Sequence, residues 1–445
     1  MPDPIIYNVD MKANVTGDLA GYKNVAGQQK YLGTFTDSTG TALLKPDGGS
    51  VSLGGGGIRA SGVAAMRMSS GGGNVTASNP SVQQAVCANQ KFYGVRICMV
   101  NYSTTLPLSV TNMKVAASPT LTNNGSALAW SQVTWNNGSI TASIGTATAG
   151  VANNNIPTIM FSDVIPVTAV ARTDVPGDPY LLYVRTYDAA LLNTTGPMLK
   201  EGDPNAAWLS AKGYTCRAGS AAGDQVTSTA SGITMSSSFP PSAISSVDFF
   251  DGGNNTSFVA FGDSLLAAAS GNATNYTSGW TNRVQSLMRT KGVIGGVSNW
   301  GFGGMKQEVY IGIMKSMCAL THYDMVYFAP FSPNTGVSQA SYESQFVIAL
   351  AAVNWLLDRG MRPIISTTPA LSNSVSGAEQ ARLDFNTRIK ALSSICTVWD
   401  FASVIDSKAT PGTIDAAYIY QTGPHWNDAG DQALADYIAL QLSLN

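Results

Sequence analysis

The sequence predicts an α/β protein in which a parallel sheet, covered by helices on both faces, follows a β-rich, sandwich-like domain. Two observations predict this order. Between residues 85 and 250, short strands with alternating apolar and polar residues are separated by Asn-Gly turns. After residue 256, short apolar strands alternate with helices, which is typical of a parallel sheet. The predicted divisions are a Gly/Ser/Thr-rich segment at 1–84, the sandwich-like domain at 85–250 and the α/β domain at 251–445.

The segment 1–84 contains glycine runs at 54–57 and 71–73. We interpret it either as an extended arm that attaches the protein to something else or as a flexible leader. The strands predicted in the next domain are 93–100, 108–115, 132–135, 158–161 and 180–186.

In the α/β domain, strands are predicted from short apolar runs and helices from apolar residues three and four positions apart. The predicted strands are 258–261, a strand near Val297, 325–329, 363–367 and 397–399. The predicted helices are one that carries Trp280, Val284 and Met288, one at 341–358, one that begins at a capping box of Ser376 and Glu379, and one from Asp428 onward.

Composition excludes several function classes. Charged residues make up 12% of the chain and the net charge is −2, so nucleic-acid binding is not expected as the main role. Only two histidines are present, which excludes multi-histidine metal sites, and we expect no metal and no organic cofactor. The five cysteines form no C-x-x-C pair. No apolar run reaches the ~18 residues of a membrane span. The first residues lack the pattern of a secretory signal. Either a signal was removed or the protein leaves the cell another way, for instance as part of a virion, and we expect an extracellular or virion-associated protein.

Candidate catalytic residues follow the strands, at the carboxyl edge of the predicted sheet, where parallel sheets bind ligands. Ser264 lies directly after the first strand and is a candidate nucleophile. Gly304 and Asn334 follow the second and third strands, and an N–H group at each could hold an oxyanion. His425 precedes the last helix and is the candidate base, whereas His322 precedes the third strand and is interpreted as structural. Together these residues supply the minimal set of a serine hydrolase.

These motifs resemble those of the SGNH, or GDSL, hydrolase superfamily. The string GDSL stands at 262–265, N-x-G-x-x-G at 299–304, and the histidine of a D-x-x-H block at 425. The third block, G-x-N-D, keeps only Asn334. The resemblance covers roughly residues 256–445.

The resemblance implies a flavodoxin-like α/β/α three-layer fold, with Ser264 as nucleophile and His425 as base. It also implies that the main-chain N–H of Gly304 and the side chain of Asn334 form the oxyanion hole. The family's carboxylate position is occupied here by Thr422, which cannot carry a negative charge. Three explanations stay open: a Ser–His dyad, a substitute acid with Asp415 as the nearest upstream candidate, or an impaired site.

We therefore expect a serine esterase that acts on O-acyl esters of an acylated polysaccharide or a small ester. The low charge and the many Asn, Thr and Tyr side chains suit a neutral, hydroxyl-rich partner, and family members with accessory β-sandwiches often remove O-acetyl groups from glycans. The alternative is a non-catalytic glycan-binding or adhesion protein, such as a virion tail protein, whose hydrolase domain has degenerated.

Overall fold

The structure is a computed structural model. It describes residues 22–25, 28–31, 58–59, 62–65, 81–88, 91–101, 104–105, 107–120, 128–149, 155–174, 180–187, 218–221, 224–226, 244–250, 257–266, 279–291, 296–301, 303–372, 377–420 and 423–442.

The first part of the chain forms antiparallel β-structure, except for the strand Ile58–Arg59, which pairs in parallel with a strand of the second part. Its strands are β1 (Tyr22–Val25), β2 (Gln28–Tyr31), β3 (Ile58–Arg59), β4 (Gly62–Ala65), β5 (Ser81–Ala88), β6 (Gly94–Asn101), β7 (Leu108–Val110), β8 (Asn112–Ser118), β9 (Ser131–Gln132), β10 (Ala142–Ile144), β11 (Thr158–Phe161), β12 (Ile165–Pro166), β13 (Tyr180–Tyr187), β14 (Ala218–Ala221) and β15 (Ile244–Phe250). Sheet A has the order β11-β6-β15-β4, with β12 also paired with β6. Sheet B has the order β14-β5-β13-β8-β9, and β1 pairs with β2 and β7 with β10.

The predicted β-strands are found, with differences at their ends. The strand at 158–161 has the predicted bounds, and the one predicted at 108–115 is divided into β7 and β8. Regular strand structure predicted at 132–135 is confined to β9, and Trp135 forms an isolated bridge with Ser139. The segment 1–84, expected to be loop-dominated, contributes β4 to sheet A, and β5 crosses the predicted boundary at residue 84. These strands form because they pair with distant parts of the chain: β5 pairs with β13 and β14. The local glycine content of a segment does not show such pairing.

The second part of the chain forms a parallel sheet with helices between its strands. The strands are β16 (Ser257–Gly262), β17 (Gly296–Gly301), β18 (Thr321–His322), β19 (Met325–Phe328), β20 (Arg362–Ser366) and β21 (Thr397–Trp399). The helices are α1 (Trp280–Lys291), α2 (Gln307–Leu320), α3 (Gln339–Leu357), α4 (Glu379–Ala391), α5 (Phe401–Ile405) and α6 (Asp428–Gln441), with a 3-10 turn at Leu392–Ser394. The parallel sheet, sheet C, has the order β17-β16-β19-β20-β21, and β18 pairs with β3 outside it.

Sheet C buries both of its faces, because alternate residues of each strand point to opposite sides. Phe258 and Ala260 belong to the same hydrophobic cluster as Trp280 of α1 and Leu434 of α6. Val259 and Phe261 belong to a second cluster, which holds the apolar residues of α2, α3 and α4. Helices therefore cover the sheet on both sides, as the alternation of strands and helices predicted.

Helices α2 and α5 were not predicted from the sequence. Val309, Tyr310, Ile313, Met314 and Met317 in α2 recur at spacings of three and four and are buried, so the helical signal was present in the sequence. The glycine-rich stretch before α2 obscured it. Helix α5 has only five residues, too few for a periodic signal.

A buried ion pair joins sheet A to the second part of the chain. The guanidinium of Arg96 in β6 lies 3.0 Å from the carboxylate of Asp248 in β15. Arg96 also donates to the main-chain oxygen of Leu320 and to the hydroxyl of Thr321, while Tyr323 donates to Asp248 across 3.3 Å. One hydrophobic cluster contains residues of sheets A, B and C, so the core is continuous across this junction.

No helix in the described part of the chain is long and apolar enough to cross a membrane.

Candidate active site

Ser264 and His425 meet at the carboxyl edge of sheet C. Ser264 lies in the turn directly after β16, and the loop before α6 carries His425. The Nε2 atom of His425 is 3.0 Å from the Oγ atom of Ser264, within hydrogen-bond distance, and both residues are half-buried. A serine hydroxyl that contacts an imidazole in this way can lose its proton to the ring as it attacks a carbonyl carbon.

The turn that carries Ser264 is tight. A Cβ atom at Gly262 would lie 2.9 Å from the Cβ of Leu266, so the turn has no room for a side chain there. Asp263 stabilises the same turn, because its Oδ1 accepts a hydrogen bond of 3.0 Å from the main-chain N–H of Leu265. The backbone after β16 thus holds Ser264 at the edge of the sheet.

Asp263 is fully buried beside the nucleophile. Its Oδ2 lies 2.6 Å from the hydroxyl of Ser332, which also lies 3.0 Å from the main-chain oxygen of Met305. Burial raises the pKa of Asp263 to about 6, although the hydrogen bonds from Ser332 and from the N–H of Leu265 act in the opposite direction. The sequence motifs assign no role to Asp263. Its contact with Ser332, in a loop 69 residues later, has no local sequence signal.

Asn334 lies among these groups. Its Nδ2 is 3.2 Å from the oxygen of Met305 and 3.5 Å from Oδ2 of Asp263. Met305 follows Gly304 in sequence and Asp263 precedes Ser264, so Asn334 connects the two loops that carry these candidate residues. The structure brings Asn334 to the Ser264 turn, and its part in an oxyanion hole stays a prediction.

Gly304 lies in the loop between β17 and α2, and it is exposed. Its φ is +77°, in the left-handed region, and a Cβ would meet no atom within 4 Å. The backbone conformation, and not lack of space, favours glycine here. Its N–H as an oxyanion donor stays a prediction.

Asn299, the first residue of the N-x-G-x-x-G motif that ends at Gly304, is buried and contacts the turn that carries Ser264. Its Nδ2 donates to the main-chain oxygen of Leu266 at 3.0 Å and to the hydroxyl of Thr281 at 2.7 Å. Its Oδ1 accepts from the N–H of Gly301 at 2.7 Å. Asn299 therefore fastens the turn after β16 to β17 and α1.

His425 has no carboxylate partner among the described residues. Its ring Nδ1 is on the side of Gly423, where a Cβ would lie 3.9 Å from it. Burial lowers the pKa of His425, with no opposing acidic group in the described part of the chain. The imidazole is consequently neutral near pH 7 and can accept a proton.

Thr422 and Asp415 are the two candidates for a third member of the catalytic set, and the structure describes only Asp415. Thr422 lies outside the described residues. Asp415 is half-buried, and its Oδ1 accepts a hydrogen bond of 2.9 Å from the N–H of Ala417. No hydrogen bond or ion pair between described residues joins Asp415 to His425. The structure therefore brings Ser264 and His425 together but does not bring Asp415 to them.

A small cavity of about 30 Å³ lies at the carboxyl ends of β16, β19 and β20. Leu265, which follows the candidate nucleophile, and Trp426, which follows the candidate base, both line it. Ala329, Phe331 and Thr368 form other parts of its wall. The cavity is thus predominantly apolar and adjoins the residues that flank Ser264 and His425 in sequence.

No group of three or more His, Cys, Asp or Glu side chains within the described ranges could hold a metal ion.

No family model matches the chain, and no curated protein matches it. Among solved structures it is similar to a member of the lipolytic protein G-D-S-L family from Veillonella parvula, with 18% identity, a TM-score of 0.34, and coverage of 41% of this chain and 96% of that one. It is similar to an acetyl xylan esterase, with 19% identity, a TM-score of 0.34, and coverage of 41% and 98%.

A carbohydrate acetylesterase family member from Sinorhizobium meliloti is similar at 13% identity, with a TM-score of 0.30 and coverage of 42% of this chain and 99% of that one. The solved structures that this chain resembles thus include GDSL lipolytic proteins and esterases.

Proposed function

We propose that this protein is a serine esterase of the SGNH type that hydrolyses O-acyl esters, with O-acetyl groups on a polysaccharide as its substrate. The observation that carries the proposal is the 3.0 Å contact between Ser264 Oγ and His425 Nε2 at the carboxyl edge of sheet C. The strand order β17-β16-β19-β20-β21 supports a flavodoxin-like arrangement, since strands two, one, three, four and five of the sheet follow in that order.

The proposed reaction is acyl transfer through Ser264. Its Oγ attacks the ester carbonyl carbon while Nε2 of His425 takes the hydroxyl proton, and the carbonyl oxygen becomes an oxyanion. The main-chain N–H groups of Gly304 and Ser264 and the amide of Asn334 are proposed to stabilise that charge. The C–O bond of the ester then breaks, and His425 returns the proton to the departing alcohol. Water, deprotonated by the same ring, hydrolyses the acyl-enzyme and releases the acid.

We propose that Ser264 and His425 act as a dyad. No described carboxylate contacts His425, and burial lowers its pKa, so the neutral base is available at and below pH 7. In a triad, a carboxylate would orient the ring and stabilise the imidazolium. Here the ring orientation rests on the surrounding loop.

The apolar cavity beside the site supports a short acyl group. Its volume of about 30 Å³ has room for roughly two water-sized groups, which suits the methyl of an acetyl group. The polysaccharide part of the proposal rests on the low content of charged residues and on the two antiparallel sheets, which we infer form a sandwich-like accessory domain. An extracellular or virion-associated location is part of the same proposal.

Hydrolysis of p-nitrophenyl acetate by the wild type and by Ser264→Ala tests the proposal. We expect Ser264→Ala to lower kcat by roughly 10³-fold or more, as for other serine nucleophiles. The matched control is Ser316→Ala, the same change at an exposed serine of α2, which should leave kcat unchanged. Equal turnover by wild type and Ser264→Ala would refute the esterase proposal and favour the glycan-binding alternative.

The acyl chain and the glycan are tested separately. Across p-nitrophenyl acetate, butyrate and octanoate, kcat/KM should fall steeply with chain length. Acetate release from an acetylated polysaccharide should depend on Ser264. A preference for octanoate would contradict the small acyl site while leaving the serine esterase intact.

A further inference from the structure

The residue after His425 is anchored deep in the protein. Trp426 is 5% exposed, and its indole Nε1 donates a hydrogen bond of 2.9 Å to Oδ1 of Asp431 in α6. The main-chain N–H of Trp280, the first residue of α1, lies 3.2 Å from the same oxygen. One carboxyl group therefore connects the histidine loop, the start of α1 and the first turns of α6.

Asp431 does not contact Ser264 or His425, yet its carboxyl group lies in an environment that is unusual for an acidic side chain. It is fully buried, and its Oδ2 has no hydrogen-bond partner among the described residues. Burial raises its pKa to about 7, with Arg283 of α1 acting in the opposite direction and Asp428 of α6 adding to the rise. A buried polar atom without a hydrogen-bond partner destabilises the fold, so packing alone does not explain the carboxyl at this position.

The indole also fits against the backbone of α6. A Cβ at Gly430 would lie 2.8 Å from the Cβ of Trp426. Because glycine has no side chain, Trp426 can pack directly against the backbone of α6 at this position. Trp426 forms an isolated antiparallel bridge with Ile419, and the main-chain oxygen of His425 accepts a hydrogen bond of 3.0 Å from Tyr420. Shape and main-chain bonds thus hold the loop, while the Asp431 bond fixes the rotation and depth of the indole.

We propose, resting on the proposed function, that Asp431 is a positioning residue, which holds the imidazole of His425 against Ser264 by anchoring Trp426. In a triad this task belongs to a carboxylate that contacts the ring. In this chain a carboxyl acts on the neighbouring residue instead. A displacement of about 1 Å between catalytic groups can cost about 10²-fold in rate, so a loss of the anchor should appear in kcat.

Three variants test the inference on the full-length protein, with p-nitrophenyl acetate as substrate. Asp431→Leu removes the acceptor and should lower kcat about 10²-fold while KM stays within twofold. Asp431→Asn keeps an oxygen acceptor at the same place and should retain kcat within about threefold. Trp426→Phe keeps the aromatic ring but removes its N–H donor, and should lower kcat in the same direction as Asp431→Leu. The double variant Asp431→Leu/Trp426→Phe should be no slower than the slower single variant.

The matched control is Tyr437→Phe, which removes a hydroxyl of α6 that accepts a hydrogen bond of 2.9 Å from the N–H of Asp400. It alters a contact of the same helix away from the histidine loop and should leave kcat unchanged. Normal kcat in folded Asp431→Leu would overturn the inference, as would equal losses in Asp431→Leu and Asp431→Asn. Should Asp431→Leu not fold, normal kcat in Trp426→Phe overturns it. If one of these outcomes is found and Ser264→Ala is inactive, the positioning role of Asp431 is refuted and the esterase proposal still stands.

Discussion

The two edges of sheet C carry similar residue types and differ in how these are paired. At the amino edge, Ser257 begins β16, and His322 and Asp324 precede β19. At the carboxyl edge, Ser264 and His425 face each other, and no described carboxylate contacts His425. A serine, a histidine and an aspartate are thus present at the edge where sequence analysis expected no chemistry.

Pairing and burial distinguish the edges. Ser257 is fully buried; its N–H and its hydroxyl lie 2.8 and 3.0 Å from Oδ2 of Asp324, and its Oγ accepts from the N–H of Asp324 at 3.0 Å. Ser257 is therefore held by an aspartate and not activated by a histidine. A groove of about 460 Å³ lies beside His322 and Asp324, and its volume is far larger than the 30 Å³ or so of the cavity at the other edge. Neither residue type nor groove size identifies the site; the contact of a half-buried serine with an imidazole does.

The largest expected effect separates the two histidines. His425→Ala should lower kcat by roughly 10³-fold or more, because Ser264 would lose its base. His322→Ala should leave kcat of the folded protein within about twofold and lower only its stability, because His322 is buried at the opposite edge. Steady-state kinetics on both variants, corrected for the folded fraction by circular dichroism, provide the measurement. A greater loss in His322→Ala would place the chemistry at the amino edge.

An intermediate effect concerns the family's carboxylate position, which Thr422 occupies in this sequence. A negative charge near the ring raises a histidine pKa, whereas burial now lowers the pKa of His425. Since activity requires the neutral ring, the wild-type acidic limb should lie below pH 6.5. Thr422→Asp should maintain or raise kcat, by up to roughly tenfold, and move that limb to higher pH.

Asp415→Asn decides between a dyad and a displaced triad. Because Asp415 bonds to the N–H of Ala417 and not to His425, the variant should change kcat by less than about threefold. A large loss in Asp415→Asn, with no gain from Thr422→Asp, would establish Asp415 as the third member.

The smallest effect on activity is expected at the amino edge. Ser257→Ala removes a hydroxyl that bonds with Asp324 and should lower the free energy of unfolding by about 1–3 kcal/mol. Its kcat should equal that of the wild type, since Ser264 is unchanged. Urea unfolding and p-nitrophenyl acetate kinetics test both statements. Reduced kcat with unchanged stability would show that the amino edge takes part in the reaction.

Much of the second part of the chain could be predicted because its signals are local. Apolar runs identified β16 and β21, helical spacing identified α1 and α3, and the position of Ser264 after a strand placed it at the carboxyl edge. Asn334 was predicted from the same rule. Helix α2 carries an equally local signal in its buried apolar residues, but it directly follows a glycine-rich stretch that is typical of a turn.

The remaining parts depend on contacts between distant residues. Asp263 meets Ser332, and Asp431 meets Trp280, only when several elements pack together. A sequence pattern shows which face of a helix is apolar, but it does not show that one buried position is an aspartate with a specific donor. The strands within 1–84 were not predicted because they too depend on distant contacts. Strand β4, for example, is defined by its pairing with β15.

The ion pair between Arg96 and Asp248 has a consequence for how the chain unfolds. Removing everything before β16 would take Arg96 and Asp248 away from Leu320, Thr321 and Tyr323 and expose apolar surface of the shared core. A charged pair and a continuous core couple the free energies of unfolding of the two parts, so we expect them to unfold together. The antiparallel sheets are therefore not a removable attachment: heat should disrupt the sheets and the contact between Ser264 and His425 together, in one cooperative transition.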